Sequence, residues 1–119
     1  MDSIAKESLL YDFYGKLLTE KKRHVMELYH EENLSLAEIA EEFGISRAAV
    51  HDSLKSAEKQ LAEYEEKLGL VDKFARNSAA FEKIVRSIDE IEQTHGNDAR
   101  LTGKLDGIRK VIEGLEESE

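Results

Sequence analysis

The chain has 119 residues, 40% of them hydrophobic, which is enough for one small core. Its 17 basic residues face 26 acidic ones, a net charge of −9, and it contains neither cysteine nor proline. Disulfides, thiolate metal sites and thiol nucleophiles are excluded. No apolar run approaches the roughly 20 residues that cross a bilayer, and the opening MDSIAKESLL lacks the basic and apolar regions of a secretory signal. A cytoplasmic protein of long helices is expected.

In chain order, Asp2 or Ser3 can cap a first helix that carries Ile4, Leu9, Leu10, Phe13, Tyr14 and Leu17 toward a core. Tyr11 and Tyr14 read as packing rather than as a platform for stacked bases, because aromatics at helical spacing most often face a core. Thr19 followed by Glu20 marks the next helix start. That helix reaches about His30 and buries Val25, Met26, Leu28 and Tyr29. Lys21, Lys22 and Arg23 open its other face as candidate phosphate contacts, or as a plain solvated cluster, and Glu31, Glu32 and Asn33 close it.

Residues 34–61, LSLAEIAEEFGISRAAVHDSLKSAEKQL, read as a helix-turn-helix. Ser35 and Glu38 form a capping box. Leu36, Ile39, Ala40 and Phe43 make one apolar helical face, and Ala40 is small enough for a second helix to cross close by. Gly44 supplies a left-handed stop. Ile45 plugs the corner, and Ser46 caps a helix with the apolar stripe Val50, Leu54, Ala57 and Leu61. Two capped helices around a glycine turn match the motif whose second helix enters the major groove. Residues 19–61 nevertheless carry six basic against nine acidic residues, whereas duplex binders usually present a basic face. Either the cations gather on one side, or the motif binds something else.

No breaker interrupts Arg47 to Leu68, a helix of roughly 30 Å, and Gly69 ends it. Its second half is acidic and must lead away from any duplex. Beyond it, Phe74, Phe81 and Ile88 repeat every seven residues, with Asn77, Ile84 and Ile91 as companions, a coiled-coil-like seam. The turn HGND carries Asp98 as the next cap, and the last helix holds Leu101, Leu105, Ile108, Ile112 and Leu115. Gly103, Gly107 and Gly114 each weaken that helix by about 1 kcal/mol relative to alanine, and the GxxxG spacing hints at close helix approach. The end, residues 116–119, should fray. These helices either fold on one another or pair with a second copy. Phe74, Phe81, Ile84, Ile88 and Ile91 are the candidate homodimer contacts.

Enzymatic chemistry is not expected. No phosphate loop or HExxH is present, the histidines at 24, 30, 51 and 95 form no ligand pair, and the carboxylates read as solvated. No cofactor, metal, membrane or small-molecule substrate follows from these residues.

The segments DFYGKLLTEKK, SLAEIAEEFGISR and YEEKLGL resemble the YlxM-type family of small bacterial proteins, over roughly residues 9–70. That family is similar here to the fourth region of sigma factors, which reads the −35 promoter element. The family's genes typically neighbour those of the signal recognition particle GTPases, which implies a regulatory or accessory role in protein targeting. The resemblance puts Ser46, Arg47, Ala48, His51, Asp52 and Lys55 on the exposed face of the reading helix. Lys59 extends that face, and Ser35 joins the phosphate-contacting candidates. Arg47 suits phosphate or guanine and Lys55 suits phosphate. The family more often reads SRQAVYDNIKR where this chain has SRAAVHDSLKS. Ala48 therefore replaces an amide able to read adenine, Ser56 replaces a cation, and Asp52 repels phosphate.

The expected protein is all-α: a sigma-region-4-like helix-turn-helix domain over residues 1–69 and a helical, coiled-coil-like arm over 70–119, pairing as a homodimer. Two functions stand open. One is a regulator that binds double-stranded DNA. The other is an accessory that binds the protein or RNA of the signal recognition particle and keeps the motif as a scaffold.

Overall fold

The boundaries of the helices follow from local chemistry that the sequence announces. In a computed structural model describing residues 3–117, the elements are α1 (Ser3–Tyr14), a 3-10 turn (Gly15–Leu17), α2 (Glu20–His30), α3 (Leu36–Phe43), α4 (Arg47–Leu68), α5 (Leu70–His95) and α6 (Ala99–Glu117). The protein is all-α, with no strand among the described residues. A cap from Asp2 or from the Ser3 side chain lies outside what is described, as do Ser118 and Glu119. Glu116 and Glu117, expected to fray, continue α6.

Thr19 accepts the Lys22 amide at 3.3 Å and starts α2. Asn33 takes the left-handed conformation that asparagine tolerates better than most residues, with φ at 56°, and Leu34 N–H returns to the Leu28 carbonyl at 3.0 Å. The capping box is complete. Ser35 Oγ accepts from the Glu38 amide at 3.1 Å, and Glu38 Oε1 accepts from the Ser35 amide at 3.2 Å. Gly44 stops α3 at φ 66°, its amide reaching Glu41 O while the Ile45 amide reaches Ala40 O, the paired bonds of a Schellman ending. Ser46 then caps α4 through the Ala49 amide at 3.0 Å.

The chain forms two units, residues 1–71 and 72–119. In the first, Tyr14, Leu18, Val25, Met26, Leu28, Ile39, Ala40, Val50, Leu54, Ala57, Leu61 and Val71 build one core. The four-residue stripe expected on α4 is fully inside it. Two positions of the first helix depart from expectation: Ile4 is 80% exposed and Leu17 56% exposed, while Leu18 is buried. The reason at Leu17 is the 3-10 turn, whose tighter winding of about three residues per turn breaks the helical phase and hands the inward position to Leu18. Tyr29, expected inside, is exposed as well. It lies in the last turn of α2, with its ring edge-on to His30 at 5.1 Å.

In the second unit α5 and α6 fold back on each other as an antiparallel hairpin. Asp98 caps α6 through the Leu101 amide at 3.1 Å. Among its described residues, Ile88, Leu105 and Ile112 are buried. Arg109 on α6 holds Glu92 with two guanidinium nitrogens, 2.5 and 3.0 Å away, and also pairs with Asp89 and, at 3.1 Å, with Asp106. The glycines of α6 make no close approach within the hairpin, since a Cβ built at Gly103, Gly107 or Gly114 meets nothing within 4 Å. Gly103→Ala should therefore stabilise the protein by about 0.5–1 kcal/mol, by raising helix propensity and restricting the unfolded chain. Urea denaturation at equilibrium measures this, and a loss of stability would mean that the glycine serves a contact.

Candidate nucleic-acid interface

The helix-turn-helix is oriented by α1 and α2. Both cross α4, and α3 packs against α4 beside them. An edge-on contact between His24 and Phe43, ring centroids 5.1 Å apart, ties α2 to α3. With the stripe from Val50 to Leu61 turned inward, the opposite face of α4 is left open. Arg47, Ala48, His51, Asp52, Lys55 and Lys59 are all exposed on it. Ser46 is exposed too, but its oxygen is occupied in capping. Ser35 likewise spends its Oγ lone pair and its own amide on the capping box, which leaves its hydroxyl hydrogen to offer a phosphate.

The charges on this face are unequal. Lys55 Nζ lies 3.6 Å from Glu58, and His51 Nδ1 lies 3.9 Å from Asp52. No ion pair engages Arg47 or Lys59 among the described residues. The side chains of Lys21, Lys22 and Arg23 do not gather in one patch. Lys22 is half-buried and its Nζ donates to Gln60 Oε1 at 3.3 Å, so it lies along the middle of α4. Arg23 turns the other way, into a cleft lined by Tyr11, Asp12 and Glu27. Lys21 is exposed. The Lys22–Gln60 bond was invisible in the sequence, because the partners are 38 positions apart and neither type is diagnostic. Exposed carboxylates border the motif as well: Glu38, Glu41 and Glu42 on α3.

The carboxylates expected to be solvated include two that are not. Tyr11 donates to Glu27 Oε1 and Tyr14 to Glu65 Oε1, each at 2.6 Å. Tyr14 Oη also accepts the Leu70 amide at 3.0 Å, and Glu65 Oε1 accepts the Val71 amide at 3.0 Å. The first turn of α5 is thus capped from α1 and α4. Burial, reinforced by the bond to a carboxylate, holds both phenols above their ordinary value near 10.

A capped second helix with its polar face open agrees with the family that sequence comparison finds. The profile of the UPF0122 family, described as "Putative helix-turn-helix protein, YlxM / p13 like", matches residues 1–100. The chain belongs to the UPF0122 family. A UPF0122 protein of Desulforamulus reducens is 49% identical over 112 residues, covering 94% of each chain. Another, from Halalkalibacterium halodurans, is 46% identical over 90 residues, 76% of this chain and 83% of its own. A third, from Bacillus cereus, is 40% identical over 116 residues, 98% and 96% of the two chains. The family is the YlxM-type family that the segments above resemble, and its match extends beyond residues 9–70 into the hairpin. It is a helix-turn-helix family rather than an enzyme family. No helix among the described residues is long and apolar enough to cross a membrane.

Proposed function

We propose that the protein is a homodimeric regulator that grips duplex DNA with the open face of α4. The observation that carries this reading is that Arg47 and Lys59 both stand exposed on α4 with no ion pair among the described residues. Twelve residues of helix separate Arg47 from Lys59, about 18 Å. That exceeds the roughly 12 Å width of the major groove, so the two cationic ends can meet phosphates on opposite walls. Arg47 at the helix start also suits guanine, while Ala48 and Asp52 add little base readout.

The test is a salt titration of binding to random duplex DNA, comparing the native chain with Arg47→Ala/Lys59→Ala. Micromolar affinity at low salt is expected. The double substitution should lower the slope of log K against log salt by about 0.9 for each phosphate that the variant no longer neutralises. An unchanged slope and affinity would remove α4 as the reading helix. The second reading is favoured by the carboxylates Glu38, Glu41, Glu42 and Asp52 around the motif. In it the protein is an accessory of the signal recognition particle pathway and the motif is a scaffold for protein or RNA. No duplex binding even at about 50 mM salt would select it.

A further inference from the structure

The side of the first unit where α1, α2 and α4 meet carries a groove that the duplex reading does not use. It consists of two adjoining clefts of about 140 and 180 Å3, which share Glu7, Met26 and His30 as lining residues. One extends past Ile4 and Tyr11, the other past Leu10 and Leu61. Each is well below the roughly 300 Å3 at which small-molecule sites begin. Two small cups in tandem suit successive anchor side chains of a docked helix instead. Ile4, 80% exposed at one end, is an apolar side chain with little cover. The charged lining is of one sign. Glu7, Asp12, Glu31 and Glu58 are carboxylates, and among the described residues no lysine or arginine lines either cleft. Among the described residues only Glu58 of these four has an ion pair, with Lys55.

We infer that this groove is a docking site for a basic amphipathic helix of another protein. Leucine-like anchors enter the two cups, and flanking lysines or arginines meet Glu7, Asp12 and Glu31. The rim repels phosphate, which rules out nucleic acid here. A second copy of this chain, itself at −9, is disfavoured by the same charge. The inference goes beyond the duplex reading, because neither Arg47 nor Lys59 lines the groove, and separate substitutions test the two.

The experiment uses the full chain and a fluorescein-labelled peptide of leucine and lysine at helical spacing, read by anisotropy. Its leucine–glutamate counterpart and 15N-labelled protein complete the set. Saturable binding of the lysine peptide is expected, with amide shifts confined to α1, α2 and the middle of α4. Glu7→Lys/Glu31→Lys should weaken it at least about tenfold, and Ile4→Ser should weaken it measurably. Glu41→Lys/Glu42→Lys on α3 changes the net charge equally and should leave affinity nearly unchanged. All these positions are exposed, so folding is retained, as circular dichroism checks. No saturable binding, equal weakening by the α3 pair, equal binding of the glutamate peptide, or shifts centred on α5 and α6 would each overturn the proposal.

Discussion

Ile84→Asp combined with Ile108→Asp is expected to convert a homodimer of about twice 13.5 kDa into a monomer. The hairpin has two unlike sides. At about 100° per residue, Ile84 and Ile91 fall to one side of the buried line of α5. Because the helices are antiparallel, Ile108 and Val111 fall to the same side of α6. Arg109, Asp89 and Glu92 fall on the other side, where they join the helices by ion pairs. The apolar side is 39% to 64% exposed at those four aliphatic residues. An exposed apolar side of this kind suits an interaction site, and a second hairpin laid against it would complete a four-helix bundle. Each substitution enters a two-fold interface twice. Four buried carboxylates at about 1–3 kcal/mol apiece raise the dissociation constant at least about a thousandfold. Light scattering coupled to size exclusion reads the mass. The idea fails if the native chain is already monomeric, or if the variant keeps the native mass. Of the five candidates from the heptad pattern, Ile88 is buried between α5 and α6 and Phe74 and Phe81 are half-buried, so Ile84 and Ile91 are the two that reach outward.

Tyr14→Phe should cost about 2–6 kcal/mol of stability. The phenol is 1% exposed, donates to Glu65 and accepts from the Leu70 amide. Losing the hydroxyl deprives a carboxylate of a donor and leaves a helix-start N–H without its acceptor, each a penalty of about 1–3 kcal/mol. Tyr11→Phe removes one bond at a more exposed site and should cost less. Both phenols are held above their ordinary value near 10, so the folded state binds those protons more tightly than the unfolded one. Their contribution is complete below about pH 10 and is lost as the pH rises beyond it. Urea midpoints from pH 8 to 11 should fall in the alkaline range for the native chain, and fall less steeply for Tyr11→Phe/Tyr14→Phe. Parallel curves would show that these phenols are not the groups responsible.

The helix starts and stops whose caps are local are legible in the chain alone. Thr19, Ser35 with Glu38, Ser46 and Asp98 each cap a helix within three residues of themselves, and Gly44 and Gly69 need only their own positive φ. Helical periodicity likewise sufficed for the stripe from Val50 to Leu61, since one strongly apolar line has one way to face a core. Whatever depends on distant partners was settled by the fold instead. Lys22 and Arg23 are adjacent in the chain, yet one turns to Gln60 and the other to the cleft by Tyr11. Glu65 looks like one more charge in an acidic run and becomes the cap of α5 because Tyr14 arrives from 51 positions away. The heptad seam reads as a single stripe, but a hairpin has an inner line and an outer one, and only the fold of α6 onto α5 assigns Ile88 to the first and Ile84 to the second. Spacing along one helix sets which residues share a face; what that face meets is set by the neighbouring helix, through contacts that no local pattern encodes.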